Sequence, residues 1–191
     1  MNTFCLSPTD VPTTLYRVQY GDSMTAYDIH EGLEAADTVT FYDNDGGDEQ
    51  EVEDTLQEFG DAVEQHLNWD TGYESMFISL FSQRRHAENW INCTLLQIST
   101  APLNGFSIFR AEEIVDALSL AIPEAARASV AREYLIAHYI PPRAIIRSQT
   151  VDDILAGRNR RHRSILGPLR PSRAEDMASP ELIAQLEAMG I

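Results

Sequence analysis

Three residues in a fixed order along the chain carry side chains suited to binding and acid–base chemistry. Arg17 lies in the first alternating stretch, Ser79 lies in an aromatic-flanked stretch, and Glu133 precedes Ile140 by seven residues. An arginine presents a planar, charged fork that can hold phosphate, a serine hydroxyl donates and accepts hydrogen bonds, and a carboxylate accepts them. Each type also has structural roles: arginine pairs with surface acids, serine bonds to backbone, and glutamate lies exposed on helices. The residue types alone leave both interpretations open.

Together with their neighbours these residues resemble the Arg, Ser, Glu class of ADP-ribosyltransferases, the bacterial toxin type that includes the catalytic chain of heat-labile enterotoxin. The resemblance covers about residues 15–150. Its segments are Leu15-Tyr16-Arg17-Val18, Phe77-Ile78-Ser79 with Arg85-His86-Ala87, Leu96-Gln97-Ile98-Ser99-Thr100-Ala101-Pro102, and 133–141 followed by Ala144-Ile145-Ile146. An uncharacterised fungal domain family that shares the pattern is also similar to this chain. The resemblance implies an α+β fold with a split-sheet core, in which two small facing sheets hold NAD in the cleft between them.

The resemblance also implies a reaction, in which NAD is cleaved and ADP-ribose is transferred to an acceptor, such as a protein, or released by hydrolysis. Cleaving nicotinamide from ribose builds positive charge on the anomeric carbon, which a nearby carboxylate stabilises. By resemblance, Glu133 supplies that carboxylate. Arg17 holds the pyrophosphate, and Ser79 braces both the glutamate and the ribose.

Aromatic residues and one histidine complete the implied NAD site. An aromatic ring from Tyr73, Phe77 or Trp69 stacks on the nicotinamide. His66, just before this aromatic stretch, contacts the adenosine ribose. The expected cofactor-binding set is therefore Arg17, Ser79, Tyr73, Phe77 and His66.

Two positions depart from the family pattern. Toxins that modify arginine carry a second acid two residues before the catalytic glutamate, where this chain has Ala131. Where the family usually has the motif Ser-Thr-Ser, this chain has Ser79-Leu80-Phe81 and so keeps only the first serine. These departures keep a second hypothesis open, a catalytically inactive relative that binds NAD or a protein partner.

Strand patterns accompany the candidate residues. Apolar runs bounded by turn residues predict strands at 15–20, 77–81 and 95–99. The stretch around Glu133 is ambiguous, because alanine, glutamate and arginine favour a helix from residue 124 while 134–140 suits a strand equally. A helix continuing to residue 138 would undermine both functional hypotheses.

Helices are predicted from apolar residues at steps of three and four. The segment 43–64 contains ten acids, and its apolar residues predict an amphipathic helix with an acidic outer face: Val52, Leu56, Phe59, Val63 and Leu67. Ser82 is expected to cap a helix that runs through Trp90, and a further helix is expected over 108–120 before Pro123. The segment 43–48 resembles the start of a calcium-binding loop. The glycine expected at the sixth position of such a loop is Asp48 here, and the glutamate expected at the twelfth position is Asp54, which disfavours calcium.

Composition limits the classes of partner. The chain has 14 basic residues, all arginine, against 30 acids, for a net charge of −16. Such a surface repels nucleic acid and anionic membranes. No apolar run approaches the roughly 20 residues of a membrane helix, so no transmembrane segment is expected. Residues 1–14 contain Pro8, Asp10 and Pro12 where a signal peptide would need an apolar stretch, so no signal peptide is expected either. The histidines and the two cysteines lack metal-ligand spacing, so no metal site is predicted.

The length of 191 residues predicts one domain with a short appendage. We expect a leader at 1–13, an ADP-ribosyltransferase-like domain at 14–155, and a linker rich in arginine, proline and glycine at 156–178. A C-terminal helix is expected at 179–191, because Ser179-Pro180-Glu181 combines an N-cap, a first-turn proline and an acid.

Overall fold

The computed structural model of the chain describes residues 2–42, 49–68, 72–88 and 93–156. The calcium-like segment, Trp69, Trp90 and the predicted C-terminal helix lie outside these residues, as does the linker apart from its first residue. The chain divides into two compact units, Met1–Ile154 and Leu155–Ile191. The second falls almost wholly outside the described residues.

Antiparallel sheets dominate the first unit. The strands among the described residues are β1 (Thr14–Gln19), β2 (Ala26–Asp28), β3 (Gly32–Glu34), β4 (Phe77–Phe81), β5 (Thr94–Ser99), β6 (Ile108–Arg110), β7 (Glu133–Ala137), β8 (Tyr139–Ile140) and β9 (Ile145–Gln149). A six-stranded sheet has the order β6-β7-β4-β1-β5-β9, and a three-stranded sheet has the order β2-β3-β8. The strands predicted around Arg17 and Ser79, and the one at 95–99, are present.

Helices flank the large sheet, which confirms the predicted α+β class. The α-helices with both ends among the described residues are α1 (Glu49–Leu67), α2 (Arg84–Ala87), α3 (Ala111–Leu118) and α4 (Glu124–Val130), and residues 151–156 are also helical. α1 is the predicted amphipathic helix: Phe59, Val63 and Leu67 are buried, while most of its acids are exposed. This division between faces is what the period of 3.6 residues requires.

The large sheet separates two apolar clusters because successive strand residues point to opposite faces. On one face Phe77 joins a cluster with Phe59 of α1 and Ile114 of α3. On the other face Ile78 joins a cluster with Leu33 and Ile140 of the small sheet. The space between the two sheets is therefore filled with apolar side chains.

Residues 2–13, predicted as a leader, pack onto this framework. The ring of Phe4 stacks on that of Phe59, with ring centroids 5.9 Å apart. The backbone N–H of Leu6 donates to the carbonyl oxygen of Ile108 at 2.8 Å. Val11 is buried. The segment thus contributes apolar contacts to the domain.

Two helix predictions were wrong in part. The segment 108–120 begins as strand β6, because Ile108 and Phe109 are buried at the sheet edge against β7. The helix after it ends where Ser119 adopts a left-handed backbone with φ 53°. Ser82 does not cap α2: Gln83 is the N-cap residue, and the Ser82 hydroxyl donates instead to the carbonyl oxygen of Arg132 at 3.3 Å.

The ambiguous segment contains both elements. Helix α4 ends at Val130, and strand β7 starts at Glu133. β7 pairs with β4 on one side and β6 on the other, so sheet pairing overrides the local helix preference. Glu133 is therefore the first residue of an internal strand rather than an exposed helical residue.

Candidate functional site

Three neighbouring strands of the large sheet carry the three candidate catalytic residues. β1, β4 and β7 supply Arg17, Ser79 and Glu133. In the antiparallel pair β4 and β7, Phe81 lies opposite Glu133 and Ser79 lies opposite Leu135, so Ser79 and Glu133 share a face. The Ser79 hydroxyl donates to Oε1 of Glu133 at 2.6 Å. Residues 54 positions apart are thus joined directly.

The guanidinium of Arg17 is buried and held by three hydrogen bonds. Nη1 donates to the carbonyl oxygen of Ser79 at 2.9 Å, Nη2 to Oγ of Ser23 at 3.0 Å, and Nε to Oε1 of Gln19 at 3.1 Å. Burial lowers the Arg17 pKa to about 10, against the opposing charges of Tyr20 and Glu133. The group stays charged at neutral pH. Each of its three nitrogens thus donates a hydrogen bond within the protein, and the residue also lines the cavity described below.

Glu133 is buried, with 1% of its surface exposed. Burial raises the pKa of its carboxyl group, while hydrogen bonds from Ser79 and Ser129 and the charge of Arg17 act in the opposite direction. The Ser129 hydroxyl lies 3.4 Å from Oε2 and donates at 2.9 Å to the carbonyl oxygen of Ala126. The carboxylate therefore sits in a poorly solvated place beside a fixed positive charge.

His66, near the end of α1, is hydrogen-bonded to two serine side chains. Its Nε2 lies 2.7 Å from Oγ of Ser79, and its Nδ1 lies 2.7 Å from Oγ of Ser75. Burial and the charge of Arg17 lower the His66 pKa from 6.5 to about 3, so the ring is neutral at neutral pH. Both ring nitrogens are occupied by protein hydroxyls. In this arrangement neither nitrogen is available for the ribose contact that the resemblance implied.

A cavity of about 220 Å³ opens at this point, and the six site residues expected from the sequence all line it. They are Arg17, His66, Tyr73, Phe77, Ser79 and Glu133. The resemblance implied a cleft between the two sheets. The two sheets share an apolar core, and the cavity is lined by β1, β4, β7, the end of α1 and the loop after β1, together with Thr25 and Ala36 on either side of the β2–β3 hairpin.

The two candidate aromatic residues that the structure describes differ in exposure. Tyr73 is half-buried at the cavity, whereas Phe77 is 1% exposed and packs in the core. The ring of Phe77 meets that of His66 edge to face, with centroids 5.7 Å apart. Tyr73 is therefore the ring better placed to stack on a ligand, and Phe77 packs against the His66 ring.

Four polar residues of the site escaped the sequence analysis. Gln19 and Ser23 hold Arg17, Ser75 holds His66, and Ser129 approaches Glu133. Gln19 follows Arg17 by two positions on the same strand, a spacing that places both on one face. The three serines carry no such signal, because their roles depend on how the loops that hold Ser23 and Ser75, and the helix that holds Ser129, pack against the sheet.

The two departures from the family pattern, Ala131 and Phe81, differ in exposure. Ala131 is exposed at the C-cap of α4, so no polar side chain stands at the surface two residues before Glu133. Phe81 is buried, lines the cavity, and is the partner of Glu133 in the pairing of β4 with β7. An apolar ring thus replaces a hydroxyl close to the carboxylate.

Within residues 2–42, 49–68, 72–88 and 93–156, no group of three or more histidines, cysteines and acids could hold a metal ion. None of the helices in that part of the chain is long and apolar enough to cross a membrane.

A comparison with protein families gives a match that spans the sheets and the cavity. No curated protein matches the sequence. The family described as "Domain of unknown function (DUF7587)" matches residues 10–154, which include all nine described strands and every residue of the cavity. Because the match covers more than half of the chain, this protein belongs to the DUF7587 family.

Proposed function

We propose that this protein is an NAD-cleaving enzyme of the ADP-ribosyltransferase type. It either transfers ADP-ribose to an acceptor, for which a protein is one candidate, or hydrolyses NAD to ADP-ribose and nicotinamide. One observation carries the proposal: Arg17, Ser79 and Glu133, expected from the sequence as a set, line one cavity and are joined by hydrogen bonds of 2.6 and 2.9 Å.

The chemistry follows from the bond that breaks. Nicotinamide leaves with the electron pair of its bond to ribose, and positive charge develops on the anomeric carbon. The Glu133 carboxylate, poorly solvated and held by Ser79, stabilises that charge more strongly than it would in water. A water molecule or an acceptor group then attacks the carbon and loses its proton.

The size and charge of the cavity suit one end of the substrate. Its volume of about 220 Å³ is below the roughly 300–1,000 Å³ of sites that enclose a whole drug-sized ligand. The nicotinamide and its ribose fit this space, and the adenosine end extends beyond it. The Arg17 guanidinium, which lines the cavity and is charged at neutral pH, supplies charge-assisted hydrogen bonds to a phosphate there.

A second function, binding without turnover, is favoured by the two departures. Ala131 provides no polar group to orient an acceptor, and Phe81 replaces a hydroxyl beside Glu133. An inactive member would keep the cavity for NAD or use the domain to contact a protein partner. The two functions differ in whether nicotinamide is released.

The deciding experiment follows nicotinamide release by chromatography after the purified chain is incubated with NAD. We expect release by the wild type and a loss of about 100-fold or more in Glu133→Gln, which removes the charge and keeps the shape. Glu124→Gln serves as the control, because the Glu124 side chain is 95% exposed and does not line the cavity.

Two results would contradict the proposal. NAD binding by calorimetry with no nicotinamide release would favour the inactive, NAD-binding function. Neither binding nor release would remove NAD from both hypotheses and leave only a protein partner.

A further inference from the structure

A continuous line of hydrogen bonds runs from a backbone amide to the Glu133 carboxylate. The N–H of Phe77 donates to Oγ of Ser75 at 3.0 Å. Ser75 Oγ lies 2.7 Å from Nδ1 of His66, and His66 Nε2 lies 2.7 Å from Oγ of Ser79. Ser79 Oγ lies 2.6 Å from Oε1 of Glu133. Five residues from α1, β4, β7 and the segment before β4 are thereby connected.

The number of hydrogens sets the direction of this line. A neutral imidazole has one N–H, and each hydroxyl has one O–H. The amide of Phe77 can only donate, so Ser75 accepts there and gives its own hydrogen to Nδ1 of His66. The ring hydrogen must then be on Nε2, from which it is donated to Ser79. The Ser79 hydrogen is left for the carboxylate.

The opposite direction leaves one buried hydrogen without an acceptor. If the hydrogen were on Nδ1, Ser75 would accept from both His66 and Phe77. Its own hydroxyl hydrogen would then have no partner among the residues that the structure describes, although Ser75 is only 8% exposed. An unmet buried donor is costly, so this arrangement is disfavoured.

We propose that Ser75 is a positioning residue, which fixes His66 in the Nε2–H tautomer and so directs the Ser79 hydroxyl to Glu133. Without Ser75 the ring has no reason to keep its hydrogen on Nε2. The Ser79 hydroxyl is then free to turn to the ring nitrogen, and Glu133 loses its 2.6 Å donor. The consequence for turnover rests on the proposed function, whereas the tautomer itself does not.

The test combines a spectrum with kinetics on the full chain. The protein is labelled with ¹⁵N-histidine, and long-range ¹H–¹⁵N correlations at pH 7 show which ring nitrogen carries the hydrogen. The His66 signals are assigned by their absence in His66→Gln. We expect Nε2–H alone in the wild type and in Ser75→Thr, which keeps the hydroxyl, and a second tautomer in Ser75→Ala.

Kinetics with NAD provide the second readout. We expect Ser75→Ala to lower kcat about tenfold, the worth of one hydrogen bond at the transition state, with KM changed much less. Ser75→Thr should restore most of kcat. Ser148→Ala is the control, because Ser148 is exposed on β9 and does not line the cavity.

Two outcomes would overturn the proposal: a hydrogen on Nδ1 in the wild type, or a single Nε2–H tautomer in Ser75→Ala. The wild-type spectrum tests the direction of the line whether or not the alanine variant folds. If the wild type cleaves no NAD but Ser75→Ala still mixes the tautomers, Ser75 is upheld as the residue that positions His66 and the proposed enzymatic function fails.

Discussion

At the scale of single residues, burial decides which side chains of the site are charged. Arg17 keeps its charge although burial lowers its pKa to about 10, whereas His66 loses its charge because its pKa falls to about 3. Glu133 lies between these influences, with burial raising its pKa and Arg17 lowering it. Arg17 and Glu133 therefore act on each other's pKa through their charges, while burial is the larger influence on both.

The depressed His66 pKa predicts a loss of stability in acid. Protons bind more readily to the unfolded chain, where the histidine pKa is 6.5, than to the folded chain, where it is about 3. The contribution of neutral His66 is thus fully present above pH 6.5 and is lost as the pH falls toward 3. We expect the Tm to fall more steeply between pH 7 and pH 4 in the wild type than in His66→Gln.

The comparison with His66→Gln separates this effect from that of Glu133. A raised carboxyl pKa has the opposite sign, since it contributes stability at low pH that is lost as the pH rises. Glu133 is present in both proteins, so its contribution largely cancels in the difference. Parallel curves of Tm against pH would contradict the assignment of the acid effect to His66.

At the scale of elements, the sequence predicted the helix whose apolar residues recur at a regular period, and it missed the short strand that forms only by pairing with another strand. The five apolar residues recur at steps of three and four within α1, a helix of 19 residues that is long enough to show the helical period. β6 has three residues, too few for any period, and only its pairing with β7 makes it a strand. The same pairing placed Glu133 in β7, which the local propensities left undecided.

The candidate site was likewise predictable only where its residues belong to a pattern along the chain. Arg17, Ser79 and Glu133 were found because their flanking segments resemble a family pattern in order along the chain. Ser75 was not found, because its role consists of a single hydrogen placed between Phe77 and His66. Such a role is set by atoms in space and leaves no pattern in the sequence.

The hairpin of the small sheet depends on Gly32. Its φ is +99°, and a Cβ there would lie 2.2 Å from the carbonyl oxygen of Ile140 on β8. Gly105 has a similar φ of +89°, but a Cβ added there would meet no atom within 4 Å. We expect Gly105→Ala to lose about 1 kcal/mol in the free energy of unfolding, from backbone strain alone, and Gly32→Ala to lose on the order of 3 kcal/mol.

Urea unfolding followed by circular dichroism measures both values. The two alanine variants share the backbone penalty, so their difference isolates the contact with Ile140. Equal losses would mean that β8 moves away from β3 at little cost.

At the scale of the whole molecule, charge acts against the compact state. The net charge of −16 over 191 residues concentrates like charges on the surface, with exposed acids along α1 as one example. Self-repulsion of this kind destabilises a folded chain. Salt screens it, because the Debye length shortens from about 30 Å at 0.01 M to about 8 Å at 0.15 M.

We therefore expect added salt to stabilise the protein. Raising NaCl between these two concentrations should increase the Tm by about 2–4 °C, which corresponds to roughly 1 kcal/mol for a chain of this size. Differential scanning fluorimetry at constant pH measures the change. Sucrose at matched osmolality is the control for effects unrelated to charge, and a Tm that falls with NaCl would contradict the argument.

The strands that carry Arg17, Ser79 and Glu133 are all internal to the six-stranded order, with β6 at one edge and β9 at the other. Local unfolding of a sheet begins at its edge strands, and it needs little free energy compared with unfolding of the core. Local fluctuations at the margins thus leave the three side chains in register. For these three side chains, the arrangement lasts as long as the sheet itself stays folded.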